Sequence, residues 1–218
     1  MIGASGAASP HEGIEQNSAR ARILDAAFVA FAARGYAQTT MLEIATHAKV
    51  SKRELYALVG NKQDMLATCI AERAGRMRMP ADMPPPHDRD SLGEVLSAFG
   101  ERLLREATDP PVLAVFRLAI AEAERAPEIA QTLDSVARAA ARRELAGVIA
   151  KARAAGLIEG DTVPLTARFL ALLWGDLMVS LLLCLADPPT PEEAKRRARD
   201  AAAAFLRLCA PAGGTSAP

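Results

Sequence analysis

The sequence predicts an all-α protein made of a small N-terminal helical domain and a larger C-terminal helical domain. Three observations predict it. No stretch alternates apolar and polar residues for long enough to suggest a strand, whereas apolar residues recur at helical spacing along most of the chain. Helix-start signals, namely Ser, Thr and Asp caps and first-turn prolines, recur from Thr40 to Thr190. Pro80, Pro84, Pro85 and Pro86 stiffen residues 79–90 into a linker between the two parts.

Residues 1–17, rich in Gly and Ala, read as a disordered arm. The first helix is expected from Ser18 to Arg34, with Ile23, Ala27 and Phe31 on one face, Leu24 and Phe28 beside them, and Gly35 as its stop. The second begins at Thr40, three residues before Glu43. The third begins at Ser51, three residues before Glu54. In each pair the hydroxyl can accept from the glutamate's backbone N–H while the carboxylate reaches back, the pattern of a capping box. Two starts eleven residues apart leave room for about two helical turns and a tight turn, the size of a helix-turn-helix over 40–59. A fourth helix from Asn61 buries Met65, Leu66, Cys69 and Ile70, which completes a domain over 18–78.

The larger domain, 91–210, is expected to hold helices near 91–107, 110–125, 127–155, 164–186 and 191–209. Ser91 with Glu94 offers a capping box, and Pro110 and Pro127 fit first helical positions. Thr190-Pro191-Glu192-Glu193 combines a cap, an N1 proline and an N3 glutamate. Gly156 closes the third of these helices and Asp187-Pro188-Pro189 the fourth. Residues 211–218 read as a disordered tail.

Charge is unevenly shared. Between Ser18 and Arg78 ten cations face five anions, although the whole chain has a formal net charge of zero. A basic front on an acidic remainder suits contact with a polyanion at one end. Cys69, Cys184 and Cys209 have no metal-like spacing and read as reduced, buried thiols in a cytoplasmic protein. His11-Glu12-Gly13-Ile14-Glu15 starts like a zinc-protease motif but has no histidine at position 15. With no nucleophile elbow, phosphate loop or Cys/His cluster, neither an enzyme, a cofactor nor a metal is expected. The apolar run 169–186 is interrupted by Asp176 and is short for a membrane span.

Ile23-Leu24-Asp25-Ala26-Ala27, Phe31, Gly35-Tyr36, Thr39-Thr40, Ile44-Ala45, Val50-Ser51, Leu55-Tyr56, Lys62 and Leu66 fall in the order and spacing of the TetR family of transcriptional regulators, which this stretch resembles. The resemblance covers roughly 55 residues. It departs from the family at Lys49, where glycine is usual, and at Val59, where an aromatic is common. It implies that the third helix enters the major groove of double-stranded DNA. Lys52 and Arg53 can then reach guanine edges or phosphates, and Ala57 a thymine methyl. Tyr56 matches the family's phosphate-contacting tyrosine. Thr40, Lys49, Ser51 and Lys62 complete the expected DNA-binding set. Lys62 stands in the first turn of a helix, where a cation opposes the dipole, and this suggests a phosphate partner.

For the larger domain the resemblance implies homodimerisation through the last two long helices and a pocket for a small-molecule effector. The apolar run 169–186, which needs cover on two sides, independently suggests a second subunit. Phe99, Leu103, Phe116, Ile120, Trp174 and Met178 are candidate pocket walls. Arg117, Glu122 and Asp176 are candidate polar anchors. The expected function is that of a homodimeric repressor on a palindromic operator, released by an apolar effector. Competing readings are a helical protein-interaction module that has lost DNA binding, and a regulator acting as activator or with a corepressor.

Overall fold

The computed structural model describes residues 10–75 and 85–209 and contains no strand among them. The chain divides into two compact units at Ala71. The first unit holds α1 (Pro10–Arg34), α2 (Met41–Ala48), α3 (Lys52–Val59) and the start of α4 (Lys62–Gly75). Helix α1 starts at Pro10 rather than Ser18, so residues 10–17 are helical and not a disordered arm. A proline is pre-shaped for that first position and has no N–H to leave unsatisfied. The rest of the expected arm, residues 79–84 of the linker and the expected tail lie outside the described residues.

The small core forms where the periodicity places it, with Ile23, Phe31, Ile44, Leu55 and Met65 fully enclosed. Val59 is buried too, so the smaller side chain still fills an apolar position. Thr39, also buried, donates its hydroxyl to the carbonyls of Gly35 at 2.8 Å and Ala30 at 3.2 Å, tying the end of α1 to the start of α2.

The second unit holds α5 (Arg89–Ala107), α6 (Pro110–Ala121), α7 (Pro127–Thr132), a π-helical stretch (Leu133–Arg138), α8 (Ala139–Ala154), α9 (Thr162–Trp174), α10 (Leu177–Leu182) and α11 (Pro191–Leu208). Helices α5 and α11 pack most extensively. Small residues permit this: a Cβ on Gly100 would stand 3.2 Å from the Cβ of Ala198 and 3.0 Å from Leu173. Phe169 joins the layers, 6.4 Å from Phe99 and edge-on to Phe205 at 5.7 Å.

Five expectations for this unit need correction. The box that opens α5 is Asp88 with Ser91, not Ser91 with Glu94, which shifts the start to Arg89. Helix α6 stops at Ala121 rather than 125: beyond it the chain runs on as turns, with the Ala123 N–H bonded to the Ile120 carbonyl at 3.3 Å and the Arg125 N–H to the Glu122 carbonyl at 3.0 Å, until Ala126, ahead of a proline, takes φ −139°, ψ 66° outside the helical region. The helix expected over 127–155 is divided by the π-helical stretch. The expected single helix 164–186 breaks at Gly175, where φ is 49° and ψ is −125°, a region open essentially to glycine. Helix α10 then ends early, at Cys184 with φ 58°. There the Leu185 N–H reaches back to the Ser180 carbonyl at 2.8 Å, a Schellman closure. Cys184 is exposed, unlike the buried Cys69 and Cys209.

Arginines from elsewhere in the same unit close several helix ends. Arg22 donates to Ala48 at the end of α2 (3.3 Å), and Arg117 to Leu181 and Leu182 at the end of α10 (2.7 and 3.2 Å). Arg197 donates to Leu173 and Trp174 at the end of α9, both at 2.6 Å. Arg89 donates to Leu157 at 2.7 Å and to Leu206 near the end of α11. Each guanidinium adds donors to carbonyls in or just beyond the last turn of a helix, where the dipole also favours a cation.

Candidate nucleic-acid interface

The two short helices α2 and α3 are set by their caps. Thr40 Oγ1 accepts from the Glu43 N–H at 3.2 Å, and Ser51 Oγ accepts from the Glu54 N–H at 3.1 Å. Only this hydroxyl half of each expected box forms. Glu43 instead turns to Arg34, with Oε1 2.6 Å from Nη1. The turn between the helices closes on Lys49 at φ 56°, ψ 46°, with the Val50 N–H bonded to the Ala45 carbonyl at 3.0 Å. At the position where the family usually has glycine the backbone is therefore left-handed, and lysine adopts that conformation.

Helix α3 separates its faces sharply. Leu55 and Val59 point into the core, while Lys52, Arg53, Glu54, Tyr56 and Ala57 are exposed, as is the cap Ser51. Spacing places Lys52 with Tyr56, and Arg53 with Ala57, one turn apart on the helix. Tyr56 is 44% exposed and does not plug the core. The Lys52 ammonium lies 6.0 Å from its ring centroid. Two cations, a phenol and a small apolar surface thus share the exposed side of a helix whose N-terminal N–H groups point the same way as its dipole. That set can meet phosphates and base edges together.

Asn61 caps α4 through its side-chain oxygen, which accepts from the N–H groups of Gln63 (2.8 Å) and Asp64 (3.0 Å), while Asp64 returns a bond to the Asn61 N–H at 3.1 Å. The preceding Gly60 has φ 72°, and a Cβ there would meet the Asp64 carboxylate at 2.6 Å. Lys62, the first residue of α4, does not reach straight into solvent. Its Nζ lies 4.4 Å from the Tyr36 ring centroid and 3.4 Å from the Ala37 carbonyl, and burial pushes its pKa below the usual lysine range. Sequence reasoning gave Tyr36 no role in the site. The only signal available was an aromatic next to the glycine that stops α1.

The effector candidates scatter. Phe99 and Leu103 are buried in the core of the second unit, with Phe99 against Phe169. Arg117 is engaged with the end of α10, and Glu122 closes α6. Phe116, Trp174 and Met178 are half-buried, whereas Ile120 and Asp176 are exposed. An open groove of about 530 Å³ runs along α9, α10 and α11, lined among others by Leu172, Leu177, Glu193, Arg196, Arg197 and Asp200; none of these candidates lines it. Near it, Val179, Leu183 and Leu185 are 59%, 62% and 76% exposed. Among the described residues no helix is long and apolar enough to cross a membrane.

Comparison with known proteins agrees with this arrangement. Residues 23–69 match the model of the bacterial regulatory proteins of the tetR family, and residues 94–210 match that of the AefR-like transcriptional repressor C-terminal domain. Among solved structures, the chain is similar to a TetR transcriptional regulator from Agrobacterium tumefaciens. The two are 26% identical with a TM-score of 0.74, over 94% of this chain and 97% of that one. It is also similar to the flavonoid-responsive regulator FrrA, at 28% identity and a TM-score of 0.72, over 90% of this chain and 100% of the other. A regulator described as TetR-family from Mesorhizobium loti, 23% identical, shares the fold over 90% of this chain and 98% of its own, with a TM-score of 0.71. No curated protein matches the sequence. With one family model on the helix-turn-helix and another on more than half of the chain, the protein belongs to the TetR family of DNA-binding transcriptional regulators, which are not enzymes.

Proposed function

We propose that the protein is a cytoplasmic, homodimeric repressor that holds a palindromic operator and releases it when a small, largely apolar effector binds the second unit. The observation that carries the operator reading is the division of α3: Leu55 and Val59 inside, Lys52, Arg53, Tyr56 and Ala57 outside, on a helix fixed by a capped start and a tight turn. A single such helix covers only a few base pairs. Two of them, related by a twofold axis and roughly 34–36 Å apart, read successive major grooves.

The exposed Val179, Leu183 and Leu185, together with the neighbouring groove that carries both Arg196 and Asp200, support a second copy as the partner. Apolar surface mixed with self-complementary charge suits an isologous contact. Similarity to the AefR-like repressor C-terminal domain supports repression, and similarity to a regulator described as flavonoid-responsive supports a small organic effector. The effector acts only through a different affinity for the DNA-bound and released conformations.

Selection of bound fragments from a random DNA library, followed by titration at several salt concentrations, tests the reading. The expected result is a palindromic site whose affinity falls steeply with salt and is lost in the Lys52→Ala/Arg53→Ala/Tyr56→Ala variant. A folded dimer that enriches nothing at low salt would instead favour a protein-interaction role.

A further inference from the structure

We propose that Tyr36 is a positioning residue for DNA binding: its ring and the adjoining Ala37 carbonyl hold the Lys62 ammonium ready to take a DNA phosphate. This deepens the operator reading above and rests on it.

Two contacts define the arrangement. Lys62 Nζ stands 4.4 Å from the Tyr36 ring centroid and 3.4 Å from the Ala37 carbonyl oxygen. The first is well inside cation–π range. Both partners come from the turn between α1 and α2, whereas Lys62 opens α4, so the contact joins segments 25 positions apart. The platform is itself supported, because the Tyr36 ring packs on the enclosed Phe31 ring at 5.6 Å.

Lys62 is an expensive place for a positive charge. It lies in the first turn of a helix, at the positive end of the dipole, and is partly withdrawn from water. Contacts that keep a cation there make sense if the ammonium has a further partner. An ammonium has three donors. The carbonyl engages one and the ring face another, which leaves one for an incoming oxygen. Ala37 lies three residues before Thr40, the cap of α2, so the docked cation sits close in sequence to a helix start that can also receive a phosphate.

The benefit is entropic. A free lysine surrenders rotamer freedom when it grips a phosphate, whereas one already laid on a ring has surrendered it in the unbound protein. Loss of the ring therefore weakens binding without removing the ion contact. Lys52 beside Tyr56 is a looser version, at 6.0 Å.

The test uses the full-length protein and the operator fragment selected above, with wild type, Tyr36→Phe, Tyr36→Leu, Lys62→Met and the Leu/Met double variant. Thermal unfolding of each controls for folding. Tyr36→Leu is expected to weaken operator binding about three- to tenfold with an unchanged salt slope. Tyr36→Phe, which keeps the ring, is expected to bind like wild type. Lys62→Met is expected to weaken binding and flatten the salt slope by about one ion. In the Lys62→Met background, Tyr36→Leu is expected to change nothing further. Wild-type affinity in Tyr36→Leu, or an equal loss with and without Lys62, would overturn the proposal while leaving operator binding intact. A wild-type protein that selects no DNA fails at the operator reading itself, and the proposal falls with it. A second readout needs no DNA: the Lys62 ε-methylene protons should be shifted upfield by the ring in wild type and Tyr36→Phe, and not in Tyr36→Leu. Unshifted protons in wild type would also overturn it.

Discussion

Gly175 lies against the guanidinium of Arg197, with only 3.1 Å between Nη2 and the position a Cβ would occupy. The same guanidinium satisfies the carbonyls of Leu173 and Trp174, so glycine and arginine together make the break between α9 and α10. Neither a lysine point charge nor an apolar stem can satisfy both carbonyls in this way. Arg197→Met should lower stability by about 2 kcal/mol, and Arg197→Lys should recover only part of the loss. Gly175→Ala should cost about 1–3 kcal/mol through backbone strain alone. Denaturant midpoints at one fixed protein concentration measure all three.

Lys49 is held in the left-handed region to close α2. Glycine is free of that penalty, so Lys49→Gly should stabilise the protein by about 1 kcal/mol. The same change removes a cation beside the recognition helix and should weaken operator binding. Opposite signs in unfolding and DNA titration experiments are the expected outcome; a loss of both would mean that the lysine supports the turn.

Gly100 and Gly147 form a pair with opposite expectations. Both are helical, but a Cβ on Gly100 runs into Leu173 and Ala198, whereas one on Gly147 meets nothing within 4 Å. Gly147→Ala should stabilise by about 0.5–1 kcal/mol from helix propensity. Gly100→Ala gains the same propensity but must part α5 from α11, and should be net destabilising by about 1 kcal/mol. Thermal or chemical unfolding of the two variants side by side decides it.

The start of α11 depends on an ionised Glu193. Its carboxylate accepts from the Thr190 N–H at 2.8 Å and the Thr190 hydroxyl at 2.9 Å, and these bonds hold its pKa below the ordinary 4.5. A carboxyl whose pKa is depressed by folding adds stability above its unfolded pKa and loses it as pH falls through the folded one. Glu193→Gln should therefore be less stable than wild type at pH 7, with the gap closing as pH drops below about 4.5. Urea midpoints at pH 7 and pH 3 follow the change. A gap that persists at low pH would show that shape, not charge, matters at this cap.

What could be read from the sequence was local. Thr40, Ser51 and Thr190 act on residues three positions away, and Gly35 and Gly156 need only their own φ, so these boundaries were legible. Ser91 and Glu94 had the spacing of a box, but the same spacing of three also fits Asp88 with Ser91, the pair that forms, and spacing does not say which of them the helix takes. The break at Gly175 was hidden by the apolar residues on either side. The arginine that stabilises it is 22 positions further along the chain. The same holds at the DNA-facing end. The exposed side of α3 follows from its periodicity, whereas the partnership of Lys62 with Tyr36 exists only once α4 has been brought to the α1–α2 turn.

The arginines that close helix ends from elsewhere in the chain have a further effect on how the second unit comes apart. A helix terminus is ordinarily the first place to loosen, because its last carbonyls gain little from staying ordered. Here the ends of α9, α10 and α11 are each anchored by a residue of another helix: Arg197 of α11, Arg117 of α6 and Arg89 of α5. Loosening one end therefore strips a second helix of its guanidinium's partners. Shared opening is therefore expected in place of gradual fraying, and in hydrogen exchange the backbone amides of these helices should fall into one protection class rather than a gradient along each helix.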